Sequence, residues 1–287
     1  MSIVFSFGFI KKNIPSSISG VWSTGGSAMF SLSGIMSAGT QNAALGWGGN
    51  SVSASFEYDG TSWSLGGDLT SIIARGAGAG TQNAALSFGG NIGSFETAAT
   101  YEYDGTTWTQ VNFMITPNDT QGGAGTQTAA ISIAGNYNNN GSEEYDGTTW
   151  STGGNLVTAV VNATGVGAGS QDSTLSTAGS DGGGTYRNTQ EYDGTTWTSG
   201  GAVITGRVGL GSVGTQNNAI MFAGASGSLG DQNLSSTQAY NGTTWFSGPN
   251  MITARRGLGA AGNASQGLAF MGFVGPANTN STEEFNS

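Results

Sequence analysis

The sequence predicts an all-β fold, a six-bladed β-propeller with four antiparallel strands in each blade. Two recurring landmarks predict it. A Trp followed by a Gly-rich step recurs at intervals of 41 to 48 residues, and a Gly followed by a polar pair and an apolar run, as in AGTQNAALGWGG, recurs between the tryptophans. A repeat of about 40 to 50 residues is typical of propeller blades. The third observation is a sixth unit that is divided between the two ends of the chain.

Each unit is predicted to contain four short strands. In the second unit these fall at 74–80, 84–90, 97–104 and 108–114, with turns rich in Gly, Asn and Thr between them. Short strands at this spacing are typical of sandwiches, barrels and propellers, and the unit-length repeat selects the propeller. Most of the length variation between units falls between strands two and three.

The ends of the chain indicate that the ring closes. Residues 278–286 match strand three of a sixth unit, and the sequence stops before the Trp strand that should follow. A matching Trp strand lies at 21–26. We therefore expect this N-terminal strand to pair with the C-terminal strands. The prediction is one propeller domain at 21–287, preceded by an N-terminal extension at 1–20.

The extension is apolar over about ten residues, and its two lysines follow the apolar run. A secretory signal has the opposite order, and a membrane-spanning helix needs about 20 apolar residues, so neither is predicted. The alternation of Phe5, Phe7 and Phe9 with other residues has the period of a strand. We expect this row to be an anchor, to a partner protein in preference to the propeller itself.

The composition excludes several kinds of chemistry. The chain has no His and no Cys, so it lacks a Ser-His-Asp relay, a cysteine nucleophile and the usual ligands of zinc and copper. Its net charge of −10 opposes binding to nucleic acid. We expect no enzymatic activity, no cofactor and no metal site.

The motif EYDGTTW, which occurs at 102–108, 144–150 and 191–197, is interpreted as structural. Glycoside hydrolysis needs one acid and one base or nucleophile across a single sugar, whereas these carboxylates recur in most blades and would form a ring. The aromatic residues are expected to pack between blades, and Asp-Gly is a preferred tight turn. The blade tryptophans given this packing role are Trp22, Trp63, Trp108, Trp150, Trp197 and Trp245.

The loops of variable length are the predicted recognition surface. In a four-stranded meander the turns after strands one and three share one face of the disc, so the variable loops share the other. Variable loops on a rigid scaffold are where binding usually resides. The candidate ligand or partner residues are Asn91, Phe95, Tyr137, Asn138, Asn139, Asp181, Tyr186, Arg187 and Asp231.

A Gly pair that ends strand two, a Tyr-Asp step and a Trp about five residues later together resemble the Kelch repeat, over residues 21–287. Kelch units usually carry an Arg before strand one, and here Arg75, Arg207 and Arg255 or Arg256 come near that position. The resemblance therefore implies an incomplete set of blade-to-blade Arg contacts. Units with GAGTQ and EYDGTTW also look like propellers encoded by tailed phages of marine bacteria, which implies a virion protein.

Two functions are expected. The first is a non-enzymatic structural or attachment module of a virion, as a capsid decoration, fibre or tail protein assembled in the host cytoplasm. Its partners would be other virion or surface proteins, with host glycans as a second class. The alternative is a secreted or surface carbohydrate-binding protein or glycan-active enzyme. The sequence does not predict the ligand or the oligomeric state.

Overall fold

The structure is a computed structural model that describes residues 18–50, 52–136, 140–161, 168–180, 184–227 and 231–287. These residues form 28 β-strands in chain order, and the first, β1 (Val21–Thr24), belongs to the last blade. Blade 1 contains β2 (Met36–Thr40), β3 (Ala43–Trp47), β4 (Ser55–Tyr58) and β5 (Trp63–Leu65). Blade 2 contains β6 (Ala77–Thr81) and β7 (Ala84–Phe88), a separate hairpin of β8 (Asn91–Ile92) and β9 (Phe95–Glu96), and then β10 (Thr100–Tyr103) and β11 (Trp108–Gln110).

The remaining blades repeat this order. Blade 3 contains β12 (Gly122–Thr126), β13 (Ala129–Ile133), β14 (Ser142–Tyr145) and β15 (Trp150–Thr152). Blade 4 contains β16 (Ala168–Ser170), β17 (Ser173–Thr177), β18 (Thr189–Tyr192) and β19 (Trp197–Ser199). Blade 5 contains β20 (Gly211–Thr215) and β21 (Asn218–Phe222), the hairpin β22 (Ala225–Ser226) and β23 (Gln232–Asn233), and then β24 (Thr237–Tyr240) and β25 (Trp245–Ser247). Blade 6 contains β26 (Gly259–Gly262), β27 (Gln266–Phe270) and β28 (Thr282–Asn286), with β1 as its outer strand.

The predicted six-bladed propeller is confirmed, including its closure by the two ends of the chain. β1 pairs antiparallel with β28, with Trp22 opposite Phe285. The first strand of every blade lies beside the first strands of its two neighbours, around the central axis. The predicted fourth strand of the second unit was too long: it ends at Gln110, and the chain then crosses to the next blade. The described residues contain no helix that could span a membrane.

The core is divided among the junctions between blades. The buried apolar side chains form six clusters, and each cluster joins residues of two neighbouring blades. The middle strands are buried almost along their whole length, because each blade packs on both faces. This is why these strands have a continuous apolar run in place of strict alternation.

The six blade tryptophans occupy equivalent places in these junctions and are all buried. Each indole N–H donates to a Ser or Thr hydroxyl on the third strand of the preceding blade. The pairs are Trp22 with Thr237, Trp63 with Thr282, Trp108 with Ser55, Trp150 with Thr100, Trp197 with Ser142 and Trp245 with Thr189, at 2.8–3.5 Å. The indole therefore supplies both apolar contact and a satisfied buried donor.

The Tyr and Glu of EYDGTTW bind each other across the junctions. The Tyr103 hydroxyl donates to Glu57 Oε1 of the preceding blade at 2.7 Å. The same bond joins Tyr58 to Glu284, Tyr145 to Glu102, Tyr192 to Glu144 and Tyr240 to Glu191. Burial raises the pKa of the Tyr103 hydroxyl to about 12, and the bond to Glu57 adds to the shift. The Tyr and Glu of the motif thus link neighbouring blades by a hydrogen bond.

The Asp of the motif stabilises the turn in which it lies. Asp104 Oδ1 accepts from the backbone N–H groups of Thr106 and Thr107 at 2.8 and 2.7 Å, and Oδ2 accepts from the Thr107 hydroxyl. These bonds lower the pKa of Asp104. Asn241 makes the same backbone contacts in blade 5, which shows that the turn needs an oxygen acceptor and no charge.

A Gln in the turn after strand one adds a third kind of hydrogen bond between blades, besides the Trp–Ser/Thr and Tyr–Glu bonds. Gln82 Nε2 donates to the carbonyls of Ala44 and Tyr58, on two strands of the preceding blade, at 3.0 and 2.9 Å. The same pair of bonds is made by Gln41, Gln127, Gln171 and Gln216. Each carboxamide ties two strands of one blade to the next.

The junction between blades 5 and 6 keeps the Trp–Thr hydrogen bond but lacks the Tyr–Glu and Gln bonds. The positions of Glu, Tyr and Gln are taken there by Ala239, Phe285 and Ala264, which pack together in one apolar cluster. Glu is absent at the one junction where the Tyr hydroxyl that would bind it is also absent. Ile18 completes this cluster, since its side chain packs beside it and its N–H bonds to the carbonyl of Ser247.

Candidate functional site

The two faces of the disc are built from different connections, as the strand order predicts. The turns after strands one and three lie against each other on what we call the constant face, where Gly60 lies next to Asn42 and Gly105 next to Asn83. The connections after strands two and four meet on the opposite end, which we call the variable face. There the Gly90 N–H donates to the carbonyl of Asn118 of the next blade at 2.8 Å.

A central cavity of about 640 Å³ is lined by the first strands of all six blades. This volume lies in the range of small-ligand sites. Small residues line most of the cavity, because the six strands approach the axis closely. Two charged side chains, Arg75 and Arg256, are among its described lining residues, both toward the variable face.

A series of backbone hydrogen bonds runs along the described part of the mouth of this cavity, from blade 5 through blades 6, 1 and 2 to blade 3. The N–H of Gly257 donates to Gly209 O, that of Gly34 to Gly257 O, that of Arg75 to Gly34 O and that of Thr120 to Arg75 O, at 2.7–2.9 Å. All five residues have φ between 55° and 65°. Gly adopts this left-handed conformation readily, whereas Arg75 and Thr120 adopt it under strain.

Three asparagines stand at equivalent positions around part of the mouth. Asn50, Asn91 and Asn136 each follow the residue pair that ends strand two, in blades 1, 2 and 3. In the other blades this position is held by Ser180, Ala225 and Phe273. This position therefore carries an amide in blades 1 to 3 and no amide in blades 4 to 6.

Asp119 is a buried carboxylate in this polar region. It is 3% exposed, and Asn136 Nδ2 donates to its Oδ1 at 2.5 Å. Burial raises the pKa of Asp119, the negative charge of Glu96 raises it further, and the positive charge of Arg75 opposes the shift. Within the described part of the chain, no three Asp or Glu side chains are grouped closely enough to hold a metal ion.

The arginines of the opposite sector are held differently. Arg256 lies over the ring of Phe273 at 4.6 Å, and its Nη1 donates to Asn233 Oδ1 at 2.9 Å. Arg207 and Arg255, which precede the first strands of blades 5 and 6, are fully buried. Their guanidinium groups bind carbonyls of their own blades, so the blade-to-blade Arg contacts implied by the resemblance are not formed. At this position the backbone carbonyl reaches the preceding blade, as in the bond from Gly224 N–H to Arg255 O.

The sequence candidates are distributed unevenly over the variable face. Asn91 and Phe95 lie in the β8–β9 hairpin beside the mouth, and Phe95 is 78% exposed. Tyr186 is half-buried and packs against the cluster between blades 3 and 4. Arg187 is exposed and donates from Nε to the carbonyl of Val203, while Asp231 is exposed near the β22–β23 hairpin.

The other candidates lie outside the described residues. These are Tyr137, Asn138, Asn139 and Asp181 of the loops, and the anchor row Phe5, Phe7 and Phe9. Sequence reasoning missed Asn50, Arg75, Asp119 and Asn136. The triplets GGN, GGN and AGN, which end strand two in three consecutive units, were the available signal for the asparagines.

Comparison with known proteins bears on the fold. No family model matches the chain, and no curated protein sequence matches it. A solved structure titled "Structure of YjhT" is similar to this one, with a TM-score of 0.75 and 13% sequence identity, over 89% of this chain and 95% of that chain. At this identity the likeness concerns the fold, which extends over nearly the whole of both chains. The chain is a six-bladed β-propeller.

Proposed function

We propose that this protein is a non-enzymatic attachment module that binds a partner protein through its variable face. More specifically, we propose that the protein is a component of a virion, such as a capsid decoration, fibre or tail protein, and that it is assembled in the host cytoplasm. An extracellular or cell-surface location is the alternative. The observation that carries the proposal is the unequal distribution of exposed apolar side chains between the two faces.

Among the residues that the structure describes, ten of the twelve strongly exposed large apolar side chains lie in connections of the variable face. The exceptions, Val21 and Leu65, are on outer strands. Five of the ten occupy one repeated position, seven residues after the blade Trp, and we call these the apolar belt: Met29, Ile115, Val157, Ile204 and Ile252, each 41–58% exposed. The concentration of exposed apolar side chains on one face favours that face as the binding surface.

The extent of this surface suits a protein partner. Ten side chains that are each about half exposed offer an apolar area on the order of the ~800 Å² that each partner buries in a standard interface. The preceding residue of each connection, such as Leu156 before Val157, is buried and holds the belt in place. A rigid apolar surface is ordered before binding, which lowers the entropy lost on association.

The distribution of charged side chains also favours the variable face as the binding surface. The constant face carries five exposed carboxylates, Asp59, Asp104, Asp146, Asp172 and Asp193, whereas the five described arginines all lie toward the variable face. Carboxylates and arginines are mixed on the variable face, so an apolar partner surface meets no strong field of one sign there. The acidic constant face opposes association through that end.

The non-enzymatic part of the proposal is supported by what the repeated side chains do. The carboxylates of EYDGTTW bind tyrosines of the next blade or their own turns. A catalytic pair would need two carboxyl groups facing one substrate with pKa values set apart. Asp119 is the acid near the mouth whose pKa burial raises, and its Oδ1 is occupied by Asn136.

The experiment has two parts. Mass spectrometry of purified virus particles and of cell envelopes from the same culture should find the chain in the particles. Labelled purified protein should then sediment with particles that lack it, and the double variant Ile204→Asp, Ile252→Asp should bind at least tenfold more weakly. The control is Leu65→Asp, which places the same charge at a 57% exposed residue of β5. Equal loss in the control, or a chain found only in the envelope fraction, would contradict the proposal.

A further inference from the structure

We infer that the mouth of the central cavity carries a binding site for a neutral glycan, formed by a polar arc of Asn50, Arg75, Asn91 and Asn136. Asn50 and Arg75 line the cavity, and Asn91 and Asn136 hold the position of Asn50 in the next two blades. This site lies nearer the axis than the apolar belt and goes beyond the proposed attachment function. Four kinds of observation support it: the repeated amides, a strained arginine, an exposed aromatic ring and the local charge balance.

The amides of the arc stand at corresponding positions in three consecutive blades. Because the blades are related by rotation about the axis, Asn50, Asn91 and Asn136 lie along one side of the mouth. Each carboxamide has two donors and an acceptor. Asn50 uses a donor on the Ser33 hydroxyl and Asn136 uses one on Asp119, while the Asn91 side chain has no hydrogen bond with the described residues. The arc thus retains donors and acceptors for sugar hydroxyls.

Arg75 is held in the left-handed region at φ 59°, where Gly34, Gly209 and Gly257 stand in three other blades. A residue with a side chain is strained in this conformation relative to glycine. The Arg75 guanidinium is exposed, lines the cavity, and has no hydrogen bond or ion pair with the described residues. Its side-chain stem lies close to Gly34, on the same side as Asn50 Oδ1. A strained residue whose donors are unused in the fold points to a ligand.

Phe95 provides an apolar surface beside the arc. The β8–β9 hairpin is held to the mouth by the paired backbone bonds of Ala74 and Asn91, and Phe95 pairs with Ile92, next to Asn91. Its ring is 78% exposed. The C–H face of a pyranose ring packs on exposed aromatic rings of this kind, while planar polar side chains bind its hydroxyls.

The charges near the arc select a neutral sugar. Arg75 is the positive group, and Asp119 and Glu96 are negative groups close enough to affect one another. An acidic glycan would place a further negative charge among these carboxylates. Hydroxyl groups, in contrast, can donate to the Asn oxygens and accept from Arg75 without adding charge.

The test uses the full-length protein and immobilised oligosaccharides in two sets, neutral hexose glycans and glycans that carry a carboxylate. We expect saturable binding to at least one neutral glycan, with its affinity then measured by titration calorimetry. Arg75→Gly should weaken binding at least tenfold with unchanged or slightly raised thermal stability, because it relieves the backbone strain. Asn136→Ala and Phe95→Ala should each weaken binding, whereas Asn83→Ala on the constant face should bind as the unaltered protein.

The outcomes are decisive for the arc. Absence of binding to every neutral glycan at millimolar concentration, binding to acidic glycans alone, or binding that Arg75→Gly leaves unchanged would each overturn the inference. The belt variant Ile204→Asp, Ile252→Asp should retain glycan binding, and Arg75→Gly should retain attachment to particles. Failure of the glycan site is therefore distinguishable from failure of the proposed attachment function.

Discussion

The contribution of the Tyr–Glu hydrogen bond to stability can be tested by a double-mutant cycle at the junction of blades 1 and 2. Tyr103→Phe removes a hydroxyl that donates to Glu57 at 2.7 Å and accepts from the Gly67 N–H at 3.2 Å. A hydrogen bond to a charged group contributes about 1.5–3 kcal/mol, and a neutral one about 0.5–1.5 kcal/mol. Glu57 is only half-buried and can be rehydrated, so the lower values apply, and Tyr103→Phe should lower the free energy of unfolding by about 2 kcal/mol.

Glu57→Ala removes the same bond from the other side and should cost about 1.5 kcal/mol. The double variant should cost about 2 kcal/mol, because the shared bond is lost once. The two changes should therefore deviate from additivity by about 1.5 kcal/mol. The measurement is equilibrium urea unfolding of the four proteins, followed by tryptophan fluorescence. The double variant recreates the Ala and Phe that the chain itself has at the junction of blades 5 and 6.

That natural junction gives the control. Phe285→Tyr adds a hydroxyl where Ala239 offers no acceptor, and the ring edge already lies against Gly20. It should destabilise the protein by roughly 1–3 kcal/mol through a buried unpaired group. Additivity of the Tyr103 and Glu57 changes within about 0.3 kcal/mol, or a gain in stability from Phe285→Tyr alone, would refute the reasoning.

Three further predictions follow from the same contacts. Burial and the bonds to Glu raise the pKa of Tyr58, Tyr103, Tyr192 and Tyr240 from 10.0 to about 12, and they also raise that of Tyr145. The stability that these tyrosines contribute should therefore be fully present below pH 10 and be lost as the pH rises toward 12, as measured by urea unfolding across that range. Gln238→Glu should raise the free energy of unfolding by about 1–2 kcal/mol in the same assay, because it gives the buried Arg207 the carboxylate partner that Glu283 supplies at the equivalent place in blade 6. A lower stability would contradict this prediction. Gly67→Ala should lower the melting temperature by several degrees in thermal unfolding, since its Cβ would lie 2.0 Å from a backbone oxygen of blade 2; an unchanged melting temperature would show that the two blades can move apart at this contact.

The sequence predicted the features that repeat. The Trp period, the four strands of a unit and the divided sixth unit were enough for the blade number and the closure, because each depends on spacing along the chain. The two-faced arrangement of the loops followed from strand order alone. These predictions needed no knowledge of which side chains touch.

Contacts between repeats were harder to predict. Glu57 and Tyr103 lie in different units, so their bond is visible only when two copies of the motif are placed side by side in space. Gln82 looked like part of a turn, and its two acceptors on the preceding blade could not be read from the turn sequence. The polar arc was missed for a related reason. Arg75 was considered only as a residue near the Arg position that the resemblance implies, whereas Ile73 holds the place in blade 2 that Arg207 and Arg255 hold in blades 5 and 6.

The backbone bonds around the mouth determine what kind of entrance the cavity has. Peptide groups joined head to tail along a circle have dipoles that turn through all directions and largely cancel, unlike the aligned dipoles at the end of a helix. The described series from Gly209 through Gly257 and Gly34 to Arg75 follows this circular sense. The backbone at the entrance therefore has little net dipole along the axis. The side chains at the rim determine which molecules bind there. Replacing the Arg75 side chain would change which molecules bind at the entrance, while the described backbone hydrogen bonds would remain.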